Sequence, residues 1–453
     1  MKFYLLLSLA ILLFAYKTAA QDRKPDGGGG LDFIQSEQCL SDKQRAEIVS
    51  MLNANIQTIA ANPFFDSSRI RSRVITFDWP LRQSEKSNYK SYYAINNFVD
   101  HDPGPGLLDY NCTARTYNGH RGTDIDTWPF PWVQYDLDLV HAIAAETGIL
   151  VGKIDGNDDN HCSCFGEWNA VFLRYADGSE SWYGHLKRNS LLTKAVGQVV
   201  MKGEYLGVVA SSGCSTGPHL HFEVYDANHN LIDPFQGACN TKIGQSWWKT
   251  QAPYREPTLN AALSHNAIPV FGCPGTKEIP YFSNDFRPGN TIYVATYFHD
   301  QTKGDISSMR VRRPDNTLYD SWLFTSPDTY TRSYWYWNFI LPQNSPNGTW
   351  KFEVDFAGKT IIHEFKYGST TPLSHDDPKL TIKLQPNPSQ GIFKIEGIQD
   401  YPNKIQIWDT YGRVVHEQVV ADNLIRLSGL TPGFYTLLLQ SGQQRVAKPM
   451  IIY

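Results

Sequence analysis

Beyond its first twenty residues the chain lacks any apolar run long enough to cross a bilayer, so no stable membrane span is expected in the mature protein. It also lacks a charge surplus. Lys and Arg number 41 against 45 Asp and Glu, a formal net charge of -4, and with no dominant basic patch nucleic acid is not an expected partner. No P-loop and no dinucleotide fingerprint occurs, which removes the nucleotide-handling classes those motifs mark. Cys162-Ser163-Cys164 is too closely spaced for a zinc knuckle, and no C-x-x-C pair accompanies it.

What is present is an ordinary globular composition, 41% apolar and 13% aromatic over 453 residues, which suggests about three domains. Residues 1–20 carry Lys2, an apolar run from Tyr4 to Tyr16 and then Thr18-Ala19-Ala20. This is the pattern of a secretory signal peptide whose removal would leave Gln21 first. Export places Cys39, Cys112, Cys162, Cys164, Cys214, Cys239 and Cys273 in an oxidising compartment, where disulfides persist. Seven is odd, so at least one cysteine stays outside intramolecular pairs. A bridge from Cys214 to Cys239 is one candidate pairing.

The fold class expected is mainly β. Residues 21–70 read as an N-terminal linker and helix. Gly27 to Gly30 looks like flexible linker by composition, and Ser41-Asp42-Lys43-Gln44 has capping-box spacing. Ile48, Leu52, Ile56 and Ile59 then recur at helical period until Asn62-Pro63. Such a helix either packs its stripe on the following domain or belongs to a removable pro-segment. Residues 71–240 alternate in short runs, with Ala176-Asp177-Gly178 as a hairpin turn, and predict an antiparallel β-sheet domain. Residues 265–368 read as an Ig-like β-sandwich of aromatic strands. After a polar hinge, residues 378–453 form a small β-rich C-terminal unit, expected to be a further sandwich.

The chemistry concentrates in the second of these regions. Gly213 to Val224 is a turn feeding an alternating run, so His219 and His221 share one strand face while Leu220 and Phe222 share the other. Two neighbouring imidazoles are half of a metal site. Asn118 to Asp126 adds His120 and Asp124, four apart around Gly122. Two nitrogens and one oxygen make a three-ligand zinc set that leaves a position for water. His185, in Tyr183-Gly184-His185-Leu186, supplies a further imidazole. Taken singly, each is more commonly a structural histidine or a turn-capping aspartate; their joint occurrence within about a hundred residues is what favours a metal site.

Gly119-His120-Arg121-Gly122-Thr123-Asp124 resembles the G-x-H-x-G-x-D motif of the lysostaphin-type, or M23, zinc metallopeptidases. Tyr183-Gly184-His185-Leu186 is similar to the family's Y-x-H-L, and Gly213 to Val224 to its glycine-rich approach to T-G-P-H-L-H-F-E. The resemblance implies zinc held by His120, Asp124 and His221. It implies His185 and His219 as the catalytic pair, with the division of labour between them open. The sequence departs from the family pattern at a Thr127–Leu139 insert, at Cys162-Ser163-Cys164 and at Arg174-Tyr175.

A second resemblance lies at the C-terminus. Leu384 to Pro388, Gly391-Ile392-Phe393, Trp408 to Val415 and Leu430 to Tyr435 are similar to the type A C-terminal sorting domain of type IX secretion substrates. These resemblances imply a secreted or cell-surface zinc endopeptidase, acting as a monomer on peptidoglycan cross-links or glycine-rich peptides and engaging the type IX secretion machinery. The rival reading is a non-catalytic cell-wall or glycan-binding surface protein.

Overall fold

The computed structural model describes residues 21–31, 38–62, 75–273, 278–368, 382–396, 403–409, 414–420, 424–441 and 444–453. The expected signal at residues 1–20 lies outside these, as do Tyr411 and Gly412 of the C-terminal motif. The chain divides into two compact units, Met1–Gly368 and Ser369–Tyr453.

The first unit is built on a sheet of eight strands. Along the sheet run Val199–Val200, Gly148–Ile154, Ala170–Arg174, Glu180–Gly184, His219–Tyr225, Thr123–Thr127 and Tyr93–Asn97, with Leu231–Ile232 also paired to His219–Tyr225. Every pairing is antiparallel. Two-residue periodicity sorts the side chains. Leu220, Phe222 and Val224 enter a core with Ile125, Val171, Leu173, Val140, Ala142 and Leu206, the last three from a second, three-stranded sheet. His219, His221, Glu223 and Tyr225 therefore point to the opposite face, beside Asp124 and Asp126.

Helix α1 (Asp42–Ala60) lies on that polar face. It starts in the expected capping box, with Ser41 accepting from the Gln44 amide and the Gln44 side chain accepting from Ser41 N. Ile48 and Leu52 are buried against Val151, Phe172, Trp182 and Tyr225, each contributing about 1.5–3 kcal/mol by removal from water. The helix thus packs its apolar stripe on the following domain.

A sandwich follows in the same unit. One sheet contains Leu318–Thr325, Ile306–Arg312, Gly348–Phe356 and Lys359–Tyr367; the other contains Thr258–His265, Ile292–His299 and Arg332–Phe339. Trp322, Trp337, Trp350 and Phe352 fill the space between. Gly27–Gly30, expected as flexible linker, is instead a strand paired antiparallel with Arg332–Phe339, and Gln21–Asp22 pairs with Leu318–Thr325. The glycines are there for close approach. A Cβ on Gly27 would lie 2.6 Å from ring carbons of Tyr336, and one on Gly30 2.5 Å from a ring carbon of Tyr330.

The two inserts that set the sequence apart from the M23 pattern are where the sandwich attaches. The Thr127–Leu139 insert holds helix α2 (Pro131–Asp136). Its Trp128 and Phe130 pack with Ala261, Ala295 and Tyr297, and Trp128 Nε1 donates to Phe298 O. The second insert is tied by the disulfide Cys162–Cys273. The other bridges are Cys112–Cys239 and Cys164–Cys214, so the candidate Cys214–Cys239 pairing does not form. Cys239 instead closes on the loop at Cys112, where its own amide donates to Tyr110 O.

The second unit has a three-stranded sheet (Lys383–Gln385, Ile392–Glu396, Leu424–Arg426) and a four-stranded sheet (Val414–Val420, Asn403–Asp409, Gly433–Ser441, Gln444–Ile452). Phe393, Ile395, Ile405, Ile407, Leu437 and Leu439 form its core.

Candidate metal centre and active site

The site forms where Thr123–Thr127 pairs with His219–Tyr225, with His221 opposite Asp124 and His219 opposite Asp126. Residues directly across an antiparallel pair share a face, so the ladder alone delivers Asp124 to the histidine side. His120 lies three residues before the strand. Gly122, between them, leaves room for the His221 ring, because a Cβ there would come within 2.7 Å of Nε2.

His120 Nε2, Asp124 Oδ1 and His221 Nδ1 face one another at 3.2 Å, 3.3 Å and 2.7 Å. Donors arranged tetrahedrally around zinc at ~2.0–2.1 Å stand roughly 3.3 Å apart. The remaining ring nitrogens are also committed, as metal-ligating imidazoles require. His120 Nδ1 donates to Phe98 O at 2.7 Å, and His221 Nε2 meets Glu223 Oε1 at 2.9 Å. The donor set fits a zinc ion.

His185 and His219 stand beside this triangle with ring centroids 4.4 Å apart. His185 Nδ1 donates to Ser212 O and His219 Nδ1 to Gly217 O. Both Nε2 atoms are buried; that of His185 makes no hydrogen bond, and that of His219 stands 3.5 Å from Asp124 Oδ1. His185 lies one residue past the strand Glu180–Gly184, in the left-handed region at φ 62°. That conformation is uncommon outside glycine, and here it carries the ring off the ladder and toward His219.

The charges are tightly coupled. Burial would raise the Asp124 carboxyl, yet His120 and His219 hold it well below its ordinary range. Burial and the neighbouring His219 push His185 down. Burial would lower His219 too, but Asp124 lifts it to about 10. Burial would likewise raise Glu223, but the Arg45 guanidinium keeps it far below.

All five residues singled out from the sequence are thus brought together. Two contributors were missed. Arg45 on α1 grips both oxygens of Glu223, at 2.7 Å and 3.0 Å, completing a chain Arg45–Glu223–His221. Period-two counting from His221 would have put Glu223 on the metal face, but nothing local announces Arg45, 178 residues earlier. The other is Cys39, whose Sγ lies 3.1 Å from the Tyr117 hydroxyl and 3.4 Å from His221 Nδ1.

The antiparallel sheet thus presents buried histidines and an aspartate on one strand face. The chain carries a domain of peptidase family M23, matched over residues 142–234, and a secretion system C-terminal sorting domain over residues 383–453. The first match includes His185, His219 and His221; His120 and Asp124 lie upstream of it. The sorting domain marks the chain for export to the cell surface or beyond by the type IX route. No helix among the described residues is long and apolar enough to cross a membrane.

A DD-carboxypeptidase/endopeptidase, Mpg, of Neisseria meningitidis is 50% identical over 76 residues, 17% of this chain and 16% of that protein. An uncharacterized metalloprotease of Haemophilus influenzae is 41% identical over 64 residues, 14% of this chain and 13% of the relative. The chain thus matches less than a fifth of the length of these relatives. Among solved structures, the catalytic domain of the antimicrobial peptidase lysostaphin from Staphylococcus simulans is 24% identical, over 34% of this chain and 96% of that one, with a TM-score of 0.21. The catalytic domain of the prophage-encoded M23 protein EnpA from Enterococcus faecalis is 23% identical, over 32% and 92%, with a TM-score of 0.22.

Proposed function

We propose that the protein is an exported zinc metalloendopeptidase that hydrolyses peptide bonds in peptidoglycan cross-links or in glycine-rich peptides. The observation that carries this reading is the donor triangle of His120, Asp124 and His221 with two further imidazoles aimed past it. His120, Asp124 and His221 would hold the ion. A zinc ion bound there supplies Lewis acidity, toward the scissile carbonyl and toward the attacking water.

The chain's own residues supply the rest. His185 and His219 present Nε2 atoms to one space, fixed by the Ser212 and Gly217 carbonyls that accept from Nδ1. One imidazole takes the proton of the attacking water; the other, as imidazolium, faces the developing oxyanion and returns a proton to the leaving amine. Glu223 and Arg45 orient His221 from behind. The relative named a DD-carboxypeptidase/endopeptidase supports the endopeptidase reading, and the sorting domain supports an activity outside the cell, on foreign walls or extracellular protein.

The test is mass spectrometry of products after the mature protein meets defined peptidoglycan fragments and a glycine-rich protein. New amino termini at stem-peptide or glycine bonds are expected. Release of fragments from neither substrate would overturn the reading in favour of a wall-binding protein.

A further inference from the structure

We infer that Asn97 is a positioning residue of the metal centre. Its amide holds one oxygen of Asp124, so the carboxylate would meet the ion through the other oxygen alone and leave a position open for water. The inference rests on the zinc reading above and deepens it, since it names what fixes the aspartate donor.

Carboxylates bind metal ions through one oxygen or through both. Asp124 Oδ1 is the atom that faces His120 Nε2 at 3.2 Å and His221 Nδ1 at 2.7 Å. Asp124 Oδ2 accepts from Asn97 Nδ2 at 3.1 Å. That bond opposes rotation of the carboxylate into a two-oxygen grip, which would fill the position that catalytic zinc sites keep for water. The other two donors are held in the same manner, His120 through Phe98 O and His221 through Glu223. Asn97 completes the set of outer partners that a metal site requires.

The backbone is bent to bring Asn97 there. Tyr93–Asn97 runs along one edge of the sheet and opposes Ile95 to Ile125 but Asn97 to Asp124. Asn96 is the extra residue, and such a bulge re-aims the side chains beside it. In an unbroken ladder Asn96 would stand across from Asp124 instead. The chain beyond the bulge is anchored. Phe98 is fully buried against Tyr110 and Phe235, and its O also accepts from Thr116 Oγ1 at 2.7 Å. Asp100 N donates to His120 O at 2.8 Å, and Asp100 Oδ2 accepts from Gly119 N at 2.9 Å. Residues 97–100 thus hold both Asp124 and the turn that carries His120.

Asn97 also lines a small cavity with Asp124, Asp126 and His219, so contact with substrate is the competing role. A substrate contact would raise KM and leave metal affinity alone. A role in packing alone would leave the geometry around the bound ion as it was. The bond to Asp124 predicts instead that both the affinity and the geometry change when the amide is removed.

The test is the dissociation constant for cobalt(II), measured by competition with a chelator on the chain retaining residues 21–453 and on its Asn97→Ala variant. The visible cobalt spectrum is recorded in parallel. The variant should bind cobalt about 10–100-fold more weakly. Its visible band should weaken as the freed Oδ2 turns in, since five-coordinate cobalt(II) absorbs less strongly than four-coordinate. An unchanged dissociation constant, or weaker binding with an unchanged band, overturns the inference and leaves the peptidase reading standing. A parent chain that binds no cobalt overturns both. Should Asn97→Ala not fold, Asn97→Val, which suits a strand and lacks the amide, decides by the same outcomes.

Discussion

In the sandwich, His265 donates from Nδ1 to Pro280 O at 2.6 Å and accepts at Nε2 from the Tyr297 hydroxyl at 2.9 Å, while His299 donates to Asn260 Oδ1 at 2.8 Å. In the peptidase sheet, His185 and His219 are as deeply buried, yet His185 makes no hydrogen bond at Nε2 and His219 turns its Nε2 toward Asp124 Oδ1 at 3.5 Å. His120 and His221 turn a nitrogen toward the same carboxylate oxygen. Burial is common to both sets and decides nothing. What separates them is where the second nitrogen points. A buried polar atom without a partner is unfavourable by roughly 1–3 kcal/mol, and imidazoles converging on one carboxylate oxygen indicate a missing ligand.

Substitution should split the two sets. The largest effect is expected in the triangle, where His120→Ala or Asp124→Ala should reduce peptide hydrolysis to background in an assay of fragment release. Hydrolysis near the parental rate in either would erase the distinction. Next come His185→Ala and His219→Ala, which should lose about 10²–10⁴ in kcat, the usual contribution of a positioned acid or base, with metal content unchanged. Loss of metal in these variants would move them into the ligand set.

Arg45→Ala should destabilise the docked helix by about 3–5 kcal/mol, because Glu223 would remain as a buried charge without its partner; the guanidinium and carboxylate are 12% and 0% exposed. Faster limited proteolysis within Asp42–Ala60 is the readout, and an unchanged rate would show that Glu223 needs no cation.

The sandwich histidines should answer to pH instead. Burial pushes His265 and His299 down to about 4, below the ~6.5 of an exposed ring. The unfolded chain therefore binds more protons between these values. The stabilisation is fully present above pH ~6.5 and is lost as pH falls toward 4, by about 3 kcal/mol per ring. Denaturant titrations at pH 7 and pH 4.5 should differ accordingly. His299→Gln should flatten the slope without touching metal content.

Much of the metal face was legible because it depends on local rules. Strand alternation puts His219 and His221 on one side, and the glycine-spaced motif puts His120 near Asp124; the ladder pairing of Asp124 with His221 then joins them. The core followed from the same alternation. What stayed hidden depends on contacts between distant segments. Gly27–Gly30 reads as flexible because its partners are backbone groups some three hundred residues away. The disulfide pairings span 127, 111 and 50 residues, and no local pattern encodes such a choice. Arg45 and Cys39 sit in a stretch whose only visible signals are a cap and an apolar stripe, and both acquire meaning only when α1 lands on the polar face of the sheet.

The most direct test of the central claim is the zinc content of the purified chain and of its His221→Ala variant by elemental analysis, each after equilibration with zinc and removal of excess. One zinc per parent chain and none in the variant is the predicted result. A parent chain without zinc, or a variant that retains it in full, would contradict the account.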